Sequence, residues 1–526
     1  MSRDMSDTKI HDLFVIGGGI NGCGIARDAA GRGLSVSLAE MKDLAWATSS
    51  ASTKLFHGGL RYLEYGEVRL VREALIERET LLKAMPHISW PMRFVLPYHK
   101  DMRFEGSTPV SKLLSTVMPW MKGRRPSWMI RLGLFMYDNL GGREILSGTK
   151  TLFLKRAKEG EPLEDRFEQA FEYSDCWIED SRLVVLNARD AEARGAEIMT
   201  RTKVVSAEVV DGHWVITLER GGERFERRAK MLVNAGGPWV GDLIHNTVRI
   251  NATEGVRLVK GSHIVTKKLF DHEKCYFFQG EDGRIIFAIP YETDFTLIGT
   301  TDAEHGAPDE KPECSDEERD YLLAFANQYF KQDITVEDIV WKYSGVRPLY
   351  DDGAKSATAA TRDYVLKVNS QAGAPMLNVF GGKITTYRKL AEHAMDKICP
   401  ELGVKNKAWT AGVAMPGGNF KVDQVEGLIA ALARDYAFLD ERLAKRLIRA
   451  YGLEARAVLG DARSVEDLGQ HFGANLYERE VRWLMDCEYA RAAEDVVWRR
   501  SKLGLRMSAD EIKILDDWMS AEGGNA

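Results

Sequence analysis

Three glycines, Gly17, Gly19 and Gly22, stand between a short apolar run and a helical stretch. That arrangement constrains the fold more than any other feature of the chain. Asp12 to Ile16 reads as a buried strand. Ile20 to Arg32 reads as a helix whose small residues Gly22, Ala26, Ala29 and Ala30 permit close packing, and Gly33 ends it. Leu34 to Leu38 reads as the next strand, with Glu40 at its end. The result is a β-α-β unit carrying G-x-G-x-x-G in its first turn, shared by Gly18 and Asn21. The first glycine makes the turn, the second lets backbone approach a pyrophosphate, and the third lets helix and strand touch. The helix N-terminus offers free N–H groups and the positive end of its dipole. Glu40, 23 residues after Gly17, accepts from a ribose hydroxyl and disfavours a 2′-phosphate. These residues predict a dinucleotide site.

The other regions predict different architecture. Residues 204–210, 213–219 and 225–233 are strand-like, separated by Asp211-Gly212 and Gly221-Gly222, both hairpin signals. Residues 255–300 again read as strands with turns, one of them at 281–284, and predict part of a second, mostly antiparallel sheet. Residues 421–515 carry helical periodicity and predict a helical tail beyond the turn-rich stretch 414–419. At 526 residues the chain has room for more than one core. Its net charge of −6 speaks against a polycation built for nucleic acid. Six scattered cysteines form no Cys-x-x-Cys pair, which disfavours a zinc ribbon or a redox dithiol and suggests a reducing compartment. The polar N-terminus carries no stretch of signal-peptide type, and no run of 18 apolar residues predicts a membrane-spanning helix. No histidine spacing predicts a metal site.

The first motif does not distinguish NAD from FAD. Residues 47–54 add a run of small hydroxyl residues, Thr48, Ser49, Ser50 and Ser52 among them, ending at Lys54. Such residues allow close approach to a long cofactor and donate to phosphates. Two further glycine pairs, after Ala235 at Gly236 and at Gly381-Gly382, close predicted strands far along the chain. A cofactor touched from both ends of so long a stretch suits FAD better than NAD. The chain resembles the FAD-dependent glycerol-3-phosphate dehydrogenase family of the aerobic, respiratory type. Residues 16–33 and 381–391 match its two signatures throughout, and residues 49–63, 343–349 and 488–506 are family-like. A longer basic segment around 101–125 departs from the pattern.

The resemblance implies an α/β FAD-binding, Rossmann-like fold of two-dinucleotide-binding-domain type, with an antiparallel β-sheet substrate domain and a C-terminal helical domain. The boundaries it suggests are 10–95, 180–245 and 345–400 for the discontinuous FAD-binding domain. Residues 96–179 and 246–344 fall to the substrate domain, and 401–526 to the helical domain. The implied reaction oxidises sn-glycerol 3-phosphate to dihydroxyacetone phosphate, with hydride passing to FAD and electrons to ubiquinone or menaquinone. It needs cations for the phosphate, a base, and a positive group near the reduced flavin. From the residues alone, Arg347 serves a phosphate or an ion pair with Asp351 or Asp352; the resemblance places it in the substrate site. Arg61, Arg362 and the hydroxyl of Tyr62 are further phosphate partners. Lys383 follows two glycines at the start of a predicted helix, with Thr385 in its first turn, and supplies a positive field there. His57 or His263 takes the hydroxyl proton, since imidazole titrates near neutrality. By resemblance His263 is the base and His57 a flavin-side contact.

Residues 100–131 carry seven Lys or Arg against two acids, interleaved with Trp120, Met121, Trp128, Met129 and Ile130. That mixture suits an amphipathic surface on anionic lipid. The resemblance implies peripheral attachment at the cytoplasmic face of the inner membrane, and a homodimer. The competing expectations are an oxidase of the same fold that makes peroxide, a flavin-containing RNA-binding protein, and a nucleotide sensor without catalysis.

Overall fold

The computed structural model describes residues 9–100, 102, 126–250, 255–280, 284–351, 363–405 and 407–523. Its centre is the first strand, Ile10–Ile16, in which Leu13 and Val15 join one core cluster, Phe14 and Ile16 another. A strand buried on both faces belongs in the middle layer of a stack. It pairs in parallel with Val36–Ala39 on one side and with Glu223–Asn234 on the other. Glu197–Met199 and Met376–Phe380 extend the parallel array, and Val365–Asn369 closes it in the antiparallel sense.

Helices Ile20–Gly31, Asp180–Ala193 and Tyr387–Leu402 contribute to the core on one face of this sheet. The other face meets the meander of Lys203–Val210, His213–Arg220 and the start of Glu223–Asn234. Both expected hairpin turns are present. Asp211 and Gly212 have φ of +52° and +75°, and Gly221 and Gly222 of +57° and +84°, the left-handed pairs that match strand twist.

The second sheet has ten strands and is antiparallel except where Ser89–Tyr98 runs parallel to Cys275–Gln279. Ser89–Tyr98 pairs along its whole length with Gln169–Ile178, so this strand of the second sheet runs across the boundary expected between 95 and 96. Leu55–Phe56 joins the same sheet. Ile339–Tyr350 also stays in it beyond the expected boundary at 345, paired with Val256–Lys267 through Arg347 and Leu349. These long strands carry residues of the second sheet up to the first.

The tail forms its own core from Ile429, Leu432, Leu443, Leu447, Leu484 and Leu515. It meets the rest of the chain through buried and half-buried ion pairs. Arg182 pairs with Glu488, Arg189 with Glu454 at 2.7 Å, and Arg500 with Asp43 at 2.7 Å. Most of the basic segment, 103–125, lies outside the described residues. The helix that follows, Ser127–Leu140, buries Leu134 and Tyr137 and exposes Trp128, Leu132, Phe135 and Met136. Among the described residues no helix is long and apolar enough to cross a membrane.

Candidate active site

The glycine turn is tight enough to explain its sequence. A Cβ on Gly17, where φ is +111°, would lie 2.5 Å from the Ala235 carbonyl oxygen. A Cβ on Gly22 would lie 2.0 Å from the Gly17 oxygen. Glu40 bridges the turn to the second strand: its Oε2 accepts from Gly18 N at 2.7 Å and its Oε1 from Lys42 N at 2.8 Å. Burial raises its pKa. Ser49 Oγ accepts from Ile20 N at 3.0 Å, at the N-terminus of the helix, and Asn21 Nδ2 donates to the Gly381 carbonyl at 3.1 Å.

A cavity of about 390 Å³ runs from this turn between the two sheets. Of the expected cofactor residues, Gly17, Gly19, Asn21 and Glu40 line it, as do Thr48, Ser49 and Ser52. Ala235, Gly236, Gly381 and Gly382 line it from the distant strands. Three segments far apart in sequence therefore face one elongated space, which fits a long dinucleotide. The nearby Trp46 and Trp239, with ring centroids 6.1 Å apart, line the Glu40 end. Gly18, Gly22, Ser50 and Thr385 stand behind the lining: Gly22 by packing on Gly17, Ser50 by donating to the Ala47 carbonyl, and Thr385 by accepting from His57 N at 3.3 Å.

Lys54 departs from expectation. Its side chain is fully buried and donates to both oxygens of Asp180, at 2.8 and 2.9 Å. Lys54 has φ of +60°, so the chain turns there and the lysine leaves the hydroxyl run that surrounds it in sequence. Ser52 donates to the same carboxylate at 2.8 Å. Lys54 thus anchors the loop from behind and offers nothing to a phosphate.

At the other end of the cavity His57, His263, Arg347 and Lys383 come together. His263 is 1% exposed, and a Cβ on Gly299 would meet its Cδ2 at 2.1 Å, so only glycine admits the ring. Its Nε2 is 3.0 Å from Thr53 Oγ1, while Nδ1 is buried without a hydrogen-bond partner among the described residues. Its ring stacks on Tyr343 at 4.7 Å, Tyr343 packs on Trp341 at 4.8 Å, and Trp341 stacks on Trp498 of the tail at 4.5 Å. Burial, then the Arg347 and Lys54 charges, hold the His263 pKa well below the usual range. Burial, then Lys383 and Arg78, push His57 down to about 4. Both imidazoles are neutral near pH 7 and can accept a proton.

Arg347 pairs with Asp302, 45 residues away in sequence, and its Nη2 lies 3.2 Å from Thr300 Oγ1. Asp302 stands just before the short strand Ala303–Glu304 of the second sheet, and Asp352, one of the two expected partners, lies outside the described residues. Lys383 Nζ sits 3.9 Å from the centre of the Tyr62 ring. Arg61 stands over Tyr65 at 6.0 Å, and neither Arg61 nor Tyr62 lines the cavity itself. Arg362 lies outside the described residues. The sequence reading missed Thr53, Thr300 and Asp302. The glycines Gly261 and Gly299 were their visible signal, for a Cβ on Gly261 would strike Arg347 Nη2 at 2.7 Å.

The family described as FAD dependent oxidoreductase matches residues 12–388, and that described as C-terminal domain of alpha-glycerophosphate oxidase matches residues 408–520. The chain is 47% identical over 519 residues to the D-erythritol 1-phosphate dehydrogenase of Brucella abortus, covering 98% of each chain. It is 46% identical over 511 residues to the aerobic glycerol-3-phosphate dehydrogenase of Escherichia coli, covering 97% of each. It is 48% identical over 516 residues to the glycerol-3-phosphate dehydrogenase of Pseudomonas aeruginosa, covering 98% of this chain and 96% of that one. Among solved structures, the glycerol-3-phosphate dehydrogenase from Bacillus halodurans complexed with FAD superposes with a TM-score of 0.74 at 26% identity. That match covers 98% of this chain and 92% of the other. The chain belongs to the FAD-dependent oxidoreductase family, and its cofactor is FAD.

Proposed function

We propose that this flavoenzyme oxidises the C2 alcohol of sn-glycerol 3-phosphate to dihydroxyacetone phosphate and delivers the electrons to a membrane quinone. The observation that carries the reading is the convergence of two neutral imidazoles and two cations at one end of a dinucleotide cavity. Bound FAD supplies the hydride acceptor. Gly17, Asn21, Glu40, Ser49, Gly236 and Gly381 would hold it along the cavity.

The side chains divide the remaining work by charge. Arg347 and Lys383 bind the phosphate or an oxygen gaining negative charge, since both carry fixed donors into a space with low-dielectric walls. Asp302 and Thr300 hold the Arg347 fork in place, and the Tyr62 ring holds the Lys383 ammonium. His263 accepts the hydroxyl proton as a neutral imidazole, its ring fixed by Thr53 and by Tyr343. His57 lines the flavin end. Because the reaction removes a hydride and a proton from one carbinol, a base and a cation at the same carbon oxygen act in concert.

A second substrate is favoured by one specific finding, the 47% identity to a D-erythritol 1-phosphate dehydrogenase across 98% of both chains. That phosphate ester also presents a secondary alcohol. The deciding experiment is an anaerobic titration of the purified flavoprotein with each ester, followed by its visible spectrum. Bleaching at low glycerol 3-phosphate supports the proposal. Bleaching by erythritol 1-phosphate alone transfers the mechanism to the four-carbon ester. A flavin that neither ester reduces overturns the substrate class. Adding a quinone analogue, then oxygen, to the reduced protein separates a dehydrogenase from the peroxide-forming oxidase. Replacing His263 and His57 in turn by Asn identifies the base.

For quinone delivery the protein must meet a membrane at its surface. Helix Ser127–Leu140 supports this with Trp128, Leu132, Phe135 and Met136 exposed at helical spacing; Phe135 is 63% exposed. The basic segment expected to dock is adjacent in sequence. Charge reversal at Lys122, Arg124 and Arg125, or Phe135→Ser with Leu132→Ser, should move the enzyme from membrane to soluble fraction. Unchanged partition would refute the docking face.

A further inference from the structure

The helical tail reaches the cofactor cavity at a point remote from the reacting end. The cavity wall beyond the second strand is the loop from Glu40 to Trp46, of which Glu40, Met41, Ala45 and Trp46 line the space. The loop lies on the glycine turn. Ala45 N donates to the Gly18 carbonyl at 3.1 Å, and Gly18 N donates to Glu40. Ala45 has φ of +59°, so an ordinary side-chain residue holds a left-handed conformation there. Such a conformation persists only where surrounding contacts impose it.

Two residues earlier in the loop, Asp43 is held by the tail. Asp43, 2% exposed, accepts from Arg499 Nε at 2.6 Å and from Arg500 Nη1 and Nη2 at 2.7 and 2.8 Å. Arg500 is itself buried and also donates to the Glu488 carbonyl at 2.9 Å. The adjoining cavity segment is gripped from the same short stretch. Arg201 Nη2 donates to Asp495 at 2.8 Å, its N–H donates to the Lys42 carbonyl at 2.8 Å, and Thr202, next in sequence, lines the cavity. Asp495 accepts from Arg499 as well, at 2.6 Å. Residues 495–500 thus brace from the tail two loops that already share backbone hydrogen bonds, Arg201 N to the Lys42 carbonyl and Thr202 N to the Glu40 carbonyl. Asp43 and Asp495 are buried between Arg499 and Arg500, and removing the Asp43 charge leaves the buried Arg500 guanidinium with the Glu488 carbonyl but without its carboxylate partner.

We propose that the helical tail is a latch on the cofactor: Arg499 and Arg500 lock Asp43 and its loop onto the glycine turn, and this sets how long FAD stays bound. The proposal rests on FAD as the cofactor and is independent of the substrate. Asp43, Arg499 and Arg500 are positioning residues, for the lining groups are their neighbours Glu40, Ala45 and Trp46. The glycine turn forms the floor of the site, and the latch supplies its outer wall.

The test compares two interdomain ion pairs. Asp43→Asn removes the latch, while Arg189→Gln breaks the pairs of Arg189 with Glu454 at 2.7 Å and with the Glu488 carboxylate at 3.7 Å, which join tail to body without touching the loop. For each variant, the FAD dissociation constant is measured by reconstituting apoprotein, and the release rate by the rise of free flavin fluorescence on dilution. Melting temperatures are taken with and without FAD. The latch predicts that Asp43→Asn weakens FAD binding about tenfold or more and narrows the gap between holo and apo melting, as expected for lost linkage. Arg189→Gln should lower both melting temperatures and leave FAD affinity within about twofold. If Asp43→Asn fails to fold, Arg499→Lys keeps the charge, loses the fork, and should shift FAD release in the same direction. Equal loss of holo and apo stability with unchanged FAD affinity overturns the proposal, as does an equal loss of affinity in Arg189→Gln.

Discussion

His87 gives a sharp test of the interface between body and tail. Its ring is fully buried, packs near Gly418 and Gly452, and faces Phe420 at 6.3 Å. Both ring nitrogens are buried without a hydrogen-bond partner among the described residues. Burial, then the charges of Arg182, Arg449 and Arg189, pushes its pKa down to about 3 from 6.5. The folded protein therefore resists protonation and the unfolded chain does not, so stability is full above pH 6.5 and drains as pH falls toward 3. From these two values the loss is below about 0.1 kcal/mol at pH 7.5 and about 2 kcal/mol at pH 5. His87→Leu abolishes the titration and leaves no polar atom unpaired. At pH 7.5 the variant should lie within about 1 kcal/mol of the parent. At pH 5 it should gain about 2 kcal/mol relative to that baseline. If the chain melts as one unit, this is a relative rise of about 2 °C; if the tail of about 100 residues melts first, it is about 10 °C. Scanning calorimetry of both proteins from pH 7.5 to 5 measures it. A melting difference that stays constant with pH refutes the assignment of a neutral, uncompensated imidazole.

Three further substitutions probe the site. Gly22→Ala places a methyl 2.0 Å from the Gly17 oxygen and should yield protein with less than about one-tenth of its flavin, read from the ratio of visible to ultraviolet absorbance. Gly299→Ala places one 2.1 Å from His263 Cδ2; flavin content should persist while kcat falls about 100-fold, as expected for a misplaced reacting group. Thr53→Val removes the partner of His263 Nε2 and should lower kcat about tenfold, the worth of one hydrogen bond, with a shifted pH–rate profile. An unchanged profile would release Thr53 from the positioning role.

What was legible in the sequence was whatever a short segment dictates by itself. Gly17, Gly19 and Gly22 announce a turn by their spacing, and the clash that excludes a side chain at Gly22 is with Gly17, five residues away, although at Gly17 it is with the distant Ala235 carbonyl. The hairpins at Asp211-Gly212 and Gly221-Gly222 are equally local. Lys54 misled because its sequence neighbours are hydroxyls, whereas its true partner, Asp180, sits 126 residues on. Arg347 pairs with Asp302, 45 residues earlier, a partner that no local pattern in the sequence points to. Asp43 carried no local signal at all, since the two arginines that bury it come about 456 residues later. Strand Ser89–Tyr98 crossed an expected boundary because pairing with Gln169–Ile178, which is non-local, decides which sheet it joins.

The parallel order of the first sheet also bears on how the chain is made. Ile10–Ile16 is made early, but its neighbour Glu223–Asn234 follows only after some two hundred residues, and Met376–Phe380, which pairs with that neighbour, after some three hundred and sixty. At roughly 5–20 residues per second, the glycine turn waits about 20–70 s before Gly381 and Lys383 emerge. The first strand has one edge unsealed until Glu223–Asn234 is made, and from then on the open edge of the sheet is that of Glu223–Asn234 until Met376–Phe380 arrives. Cofactor capture therefore belongs to the last stage of synthesis, and truncated chains ending before residue 380 should be substrates for chaperones and proteases rather than partly active flavoproteins.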